Sequence, residues 1–198
     1  QGLIAQLDRE IWEEACKLIC KWDSENLKLC SLSVNVSPID FLELDILKEF
    51  TSLSEKYRLD NSRLKIEITE TSLMKNSKYA ISIVESLRKA GFAVEIDDFG
   101  NGYSSLGLLS DIDVDFIKLD LSFTRRLGHS QNIISILSSI SAMVALLGIN
   151  AIVEGVETEE QYKILSGLGC DLIQGFYFAK PLSVSEFVER AWGKKNKR

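Results

Sequence analysis

The chain has 198 residues, 45% hydrophobic and 26% charged, an ordinary globular composition at a length that can bury one sizeable core. Two Pro and twelve Gly exclude collagen-like and Pro/Gly low-complexity chains, and no run of about 18 uninterrupted apolar residues is present to make a transmembrane helix. The 23 basic and 29 acidic residues give a net charge of −6, which offers no electrostatic footprint for a nucleic-acid polymer, so a local anion site would need metal ions or backbone amides.

Gln1-Gly2-Leu3 lacks the basic patch and apolar core of a signal peptide. The expected location is therefore cytoplasmic, either free or as the cytoplasmic part of a larger, membrane-attached protein. Leu3, Leu7, Ile11, Ala15, Leu18 and Trp22 mark a first amphipathic helix, and residues 32–36 read as a strand. Leu47, Phe50, Leu53 and Tyr57 mark a second helix, followed by a strand over 64–69. Ala80, Ile83, Val84 and Leu87 mark a third helix that stops at Gly91, followed by a strand over 92–96. A strand over 115–119 precedes a fourth helix, from about Gln131 to Leu147. A strand over 151–153 leads to the capping box Thr158-Glu-Glu-Gln161 of a fifth helix, and 171–173 reads as the sixth strand. Ser183-Val-Ser-Glu186 caps a final helix. Residues 1–193 read as one domain, and Lys194-Lys195-Asn196-Lys197-Arg198 as a frayed basic tail.

Strand–helix alternation predicts an α/β fold with a parallel sheet and crossover helices. A (β/α)₈ barrel typically needs about 250 residues, so six strands leave this chain about two units short. Cys16, Cys20, Cys30 and Cys170 form no C-x-x-C pair and read as reduced core thiols. The one histidine, His129, lies in a polar patch with no nucleophile around it and reads as a surface residue. Chemistry is left to carboxylates, amides and lysine.

Such residues gather at the C-terminal ends of the strands: Asn35, Glu67 and Glu70, Asp97 and Asp98, Lys118 and Asp120, Glu154, and Gln174. In a barrel those ends form the active-site face. Each alone has a plain structural reading: a satisfied loop for Asn35, an ion pair for Glu67, a helix N-cap for Asp97 or Asp98. Together, Glu67, Asp97, Asp98 and Glu154 would put four carboxylates in one pocket, which demands protonation or a bound cation. Oxygen donors suit Mg²⁺ or Mn²⁺, and adjacent aspartates can bridge two ions. Gly100 and Gly102 permit positive φ in a tight loop after the aspartate pair.

Six segments in order resemble an EAL domain, the bacterial cyclic di-GMP phosphodiesterase module. They are Ser33-Val-Asn-Val-Ser-Pro38, Glu67-Ile-Thr-Glu70, Asp97-Asp-Phe-Gly-Asn-Gly-Tyr-Ser-Ser105, Asp115-Phe-Ile-Lys-Leu-Asp120, Val153-Glu-Gly-Val-Glu-Thr158 and Gly169-Cys-Asp-Leu-Ile-Gln-Gly175. The resemblance implies a (β/α)₈ TIM-barrel-like fold with an antiparallel first strand. It implies two Mg²⁺ or Mn²⁺ ions and hydrolysis of cyclic di-GMP to the linear dinucleotide in bacterial signalling. By family position, Asn35, Glu67 and Asp97 would hold the first ion, and Asp97, Asp98 and Glu154 the second. Lys118 would orient or activate the attacking water. Glu70 would anchor the loop after Asp98, Glu157 would support the site, and Gln174 and Asp120 would meet substrate. A homodimer through the loop after Asp98 and further sensory or signalling domains in the parent protein are also implied.

Three departures stand out. The Glu-x-Leu motif, which would supply a first-ion ligand on an early strand, is absent, so the first strand or strands are expected to be missing from this chain and its isolated activity to be weak or nil. Asn101 replaces the usual Thr or Ala. No basic residue follows Pro38, and Lys180 stands for the usual Arg before Pro181. Two other functions remain open on the sequence: a receptor that binds cyclic di-GMP without hydrolysing it, and a dimerising scaffold.

Overall fold

A computed structural model describes residues 2–27, 30–75, 77–101, 105–128 and 130–192. The elements in chain order are α1 (Leu3–Ser24), β1 (Leu32–Val36), α2 (Asp40–Glu43), α3 (Ile46–Tyr57), a 3₁₀ turn (Asn61–Arg63), β2 (Leu64–Thr69), α4 (Glu70–Lys75), α5 (Ser77–Lys89), β3 (Ala93–Phe99), α6 (Ser105–Asp111), β4 (Phe116–Leu119), α7 (Leu121–Arg125), α8 (Gln131–Leu146), β5 (Asn150–Val153), α9 (Glu159–Gly167), β6 (Leu172–Ile173) and α10 (Val184–Trp192). The six strands form one parallel sheet in the order β1-β2-β3-β4-β5-β6.

The period-2 pattern of the strands divides the sheet into two faces. Val34, Val36, Leu64, Ile66, Ile68, Val94, Ile96, Ile117, Leu119 and Val153 point one way and are all buried, forming the core with the covering helices. The other face carries Asn35, Lys65, Glu67, Glu95, Asp97 and Lys118. That polar face is the one a barrel turns inward. It opens onto a cavity of about 1010 Å³ walled by Trp22, Leu32, Phe116, Ile152, Leu172 and Phe187. Trp22 of α1 and Phe187 of α10 stack across it at 5.8 Å.

Each long helix buries its periodic stripe: Trp12, Cys16 and Ile19 on α1, Phe50 on α3, Val84 and Leu87 on α5, Leu137 and Val144 on α8. Thr158 and Gln161 form the reciprocal capping box at α9, and Ser183 with Glu186 does the same at α10, Ser183 N donating to Glu186 Oε2 at 2.9 Å. The short helices α2, α4, α6 and α7 span too few turns to show a hydrophobic period, so the sequence pattern does not reveal them.

Two expectations are corrected. The third strand does not end at Ile96: β3 runs on to Phe99, with a register shift against β4 between Ile96 and Phe99 and Asp98 at φ 55°. A positive φ within a strand breaks the ladder there and re-aims the neighbouring side chains. Among the cysteines, Cys16 and Cys170 are buried thiols, but Cys20 is half-buried and Cys30 is exposed, beside the residues linking α1 to β1. All four are free. His129, residues 193–198 and the loop residues 102–104, on which the reading of Gly102 and of the dimer contact falls, lie outside the described residues.

Candidate active site

The strand ends bring the acidic residues together because parallel strands with successive crossovers all point their C-termini the same way. Asn35 pairs in register with Glu67, and Thr69 with Asp97. Lys118, on β4, extends into this ring. Its ammonium lies 2.9 Å from Glu154 Oε1, 3.0 Å from Glu67 Oε2 and 3.1 Å from Asp97 Oδ1. Lys118 is 7% exposed, so this is a buried cation surrounded by three carboxylates. Burial alone would lower its pKa. The hydrogen bond to Glu154 and the charges of Glu67, Asp97 and Glu154 overcome that penalty and hold it above the usual lysine value. Burial pushes Glu67 upward, with Glu95 and Asp97 pushing the same way and Lys118 opposing.

Three carboxylates share one ammonium, which leaves an excess of negative charge. Asp97 Oδ1 is buried and, despite its closeness to Lys118, meets no aligned hydrogen-bond donor. Asp98 sits beside this cluster; desolvation raises its carboxyl, followed by repulsion from Asp97 and Asp120. Among the described residues no three His, Cys, Asp or Glu side chains stand at metal-ligand spacing, and the Lys118 ammonium occupies the space between the carboxylates.

The remaining residues singled out in the sequence are placed as follows. Glu70 is buried and accepts from Gly100 N at 3.1 Å, tying α4 to the turn after Asp98. Gly100 has φ 94°, and a Cβ there would meet the Phe123 ring at 2.6 Å. Asp120 is buried and caps α7, accepting from Ser122 N at 2.9 Å. Gln174 is exposed at the end of β6 and lines the cavity. Glu157 is exposed and stands outside the ammonium–carboxylate cluster; its backbone N–H donates to Gln161 Oε1 at 2.8 Å.

Several residues around the site were not singled out by the sequence reading. Beneath Glu67 and Asp97, Lys65 Nζ donates to Glu95 Oε1 at 2.7 Å, Ser33 Oγ donates to Glu95 Oε2 at 2.9 Å, and the Lys65 ammonium lies 3.6 Å from the Phe116 ring centroid. Their signal was available: Lys65 and Glu95 each stand two residues before a site carboxylate, hence on the same strand face. Thr124 and Gln161 brace the end of β5; Thr124 carries no comparable sequence signal, and the capping-box spacing that marked Gln161 did not show its reach to Thr124.

The EAL domain family model matches residues 1–181. The cyclic di-GMP phosphodiesterase NbdA of Pseudomonas aeruginosa is 33% identical over 188 residues, covering 95% of this chain and 24% of that protein. The chain spans about a quarter of the length of the curated relatives it matches. The solved structure of PaMucR phosphodiesterase in complex with c-di-GMP superposes with a TM-score of 0.88 at 32% identity, covering 94% of this chain and 75% of that one. Klebsiella pneumoniae BlrP1 in its manganese and cyclic di-GMP complex gives a TM-score of 0.81 at 31% identity, over 89% of this chain and 44% of that one. On the family match, with the parallel sheet and the acidic strand ends behind it, the chain belongs to the EAL domain family.

Proposed function

We propose that this domain hydrolyses one phosphodiester bond of cyclic di-GMP to give the linear dinucleotide, with two Mg²⁺ or Mn²⁺ ions as cofactors. The observation that carries this reading is the convergence of Glu67, Asp97 and Glu154, at the C-terminal ends of three strands, around the Lys118 ammonium, in a chain whose relatives include named cyclic di-GMP phosphodiesterases. The donor set fits hard divalent cations: it is all oxygen, it carries excess negative charge, and Asp97 Oδ1 is buried without a hydrogen-bond donor. Asn35, Glu67 and Asp97 would hold one ion, and Asp97, Asp98 and Glu154 the other. Bound ions supply Lewis-acid polarisation of the phosphate and acidify the attacking water.

The chain's own residues supply the rest. Lys118, kept charged by its neighbours, orients the attacking water and stabilises the charge that develops on the phosphate. Glu70 fixes the turn after Asp98 through Gly100 N. Gln174 and Asp120 are assigned to substrate, although Asp120 already spends one oxygen on the α7 cap, and Glu157 supports the β5–α9 segment. We assign residues 1–193 to a single domain acting in the cytoplasm, dimerising through the loop after Asp98 and joined to sensory or signalling domains, on the resemblance and on the greater length of the relatives. The described helices include none long and apolar enough to cross a membrane.

The test is chromatography of cyclic di-GMP incubated with the protein and Mn²⁺. The linear dinucleotide is expected from a longer chain that supplies the Glu-x-Leu segment, at most weakly from residues 1–198 alone, and not at all after EDTA or with Asp97→Asn. No product from the longer chain at saturating Mn²⁺ rejects the hydrolase. A receptor that binds without hydrolysis is the second reading, favoured by the Lys118 ammonium lying between the carboxylates. Calorimetric binding of cyclic di-GMP with no turnover would select it.

A further inference from the structure

We infer that Thr124 is a positioning residue for Glu154, and that Gln161 completes the clamp. The inference rests on the hydrolase reading above and adds residues to that site. Thr124 is fully buried on α7, and its hydroxyl donates to the backbone carbonyl of Glu154, thirty residues along the chain. A threonine in a helix ordinarily returns its hydroxyl to a carbonyl one turn back; this one reaches across to the next strand. The backbone N–H of Glu154 donates to Leu119 O at 3.3 Å. Both main-chain groups of Glu154 are therefore held by the segment that follows Lys118, the residue its carboxylate contacts at 2.9 Å.

Gln161 extends the clamp. Its Nε2 donates to Thr124 O at 3.3 Å, while its Oε1 accepts from Glu157 N at 2.8 Å and Thr158 N at 3.1 Å. Val156 is pinned from the other side, donating to Gln174 O at 3.1 Å and accepting from Tyr177 N at 2.9 Å. The weak point is Gly155, at φ 73°, where packing leaves no room for a side chain: a Cβ would stand 2.9 Å from Leu121 Cβ. A glycine peptide turns at little cost, so without the Thr124 hydroxyl the Glu154 carbonyl is free to rotate towards another donor. The Glu154 side chain moves with it. Small displacements of a ligand or positioning group cost roughly ten- to a hundredfold in metal affinity or rate.

Thr124→Val keeps the volume and removes the donor, Thr124→Ser keeps the donor, and Val84→Ala on α5 controls for lost stability alone. Thr124→Val is expected to weaken Mn²⁺ binding, read by calorimetry without substrate, by about tenfold. In a longer chain that supplies Glu-x-Leu, it should lower kcat by at least as much while leaving KM for cyclic di-GMP unchanged. Thr124→Ser should restore both to within about twofold, a fraction of the tenfold loss expected when an outer hydrogen bond is deleted, and Val84→Ala should shift Tm with unaltered Mn²⁺ affinity. Unchanged Mn²⁺ affinity and kcat in Thr124→Val, or equal damage in Thr124→Ser, overturns the inference while the hydrolase reading stands. A longer chain that supplies Glu-x-Leu and neither binds Mn²⁺ nor hydrolyses cyclic di-GMP overturns both.

Discussion

Replacing Lys118 by alanine removes the one cation that Glu67, Asp97 and Glu154 share. At about 3 Å and an effective dielectric near 20, each contact is worth about 5 kcal/mol. The mutual repulsion of the three carboxylates is present with or without the ammonium, so the substitution loses the three attractions together, about 15 kcal/mol on this scale. The ammonium's own burial cost, and protonation or hydration of the carboxylates left behind, offset most of that. The expected loss of stability without divalent ions is about 3–5 kcal/mol, the usual cost of removing one partner from a buried charge cluster. For a chain of this length that is a fall in Tm of about 6–20 °C. The assay is differential scanning calorimetry of both proteins, in EDTA and in Mn²⁺. Mn²⁺ should stabilise Lys118→Ala more than the unaltered protein, because the ions take over the neutralisation that the ammonium supplied. The sign with pH is fixed as well. The Lys118 pKa is raised on folding, so its contribution is complete below the unfolded lysine value near 10.4 and is lost only as pH climbs through the higher folded one. Turnover should fall by about 10²-fold, the scale of a positioned acid–base or electrostatic group. A Tm within about 1 °C of the unaltered protein in EDTA, well inside the expected fall, would refute the charge argument.

Asp97→Asn removes the carboxylate that the proposed reading gives to both ions; it should abolish turnover and weaken Mn²⁺ binding in calorimetry, and near-full activity would sink the two-ion reading. Gly175→Ala would drive a methyl into the Val156 backbone, whose O and N lie 2.1 Å and 2.4 Å from the added atom; we expect a loss of about 3 kcal/mol in urea unfolding, with native-like stability as the contrary result. Away from the site, hydrogen bonds from Lys56 and Tyr57 hold the Glu13 carboxyl down to about 2. Its contribution is present above the unfolded glutamate value near 4.3 and disappears as pH falls through the folded one. Glu13→Gln should therefore melt below the unaltered protein at neutral pH and converge with it in acid, whereas a gap independent of pH would show that the carboxylate does not matter there.

The sequence by itself determined the strand order's raw material and the identity of the acidic ring. Period-2 runs placed β1 and β2 at their observed limits, and Gly91, Thr158 and Ser183 marked helix ends, because alternation and capping are local properties written in neighbouring residues. The same locality exposed Asn35, Glu67, Asp97, Lys118 and Glu154 as polar residues at the ends of apolar strands. The course of β3 through Asp97 and Asp98 was decided only by tertiary structure, since a positive φ at an aspartate within the strand is set by packing and pairing with β4. So was the direct contact of Lys118 with three carboxylates, which depends on how far four strand ends are staggered. The placement of Glu157 outside that cluster, the commitment of Asp120 to a helix cap and the hydroxyl of Thr124 on the Glu154 carbonyl are of the same kind. Each joins residues that no periodicity relates, and only a folded sheet, fixed by burial of its apolar face, sets their separation.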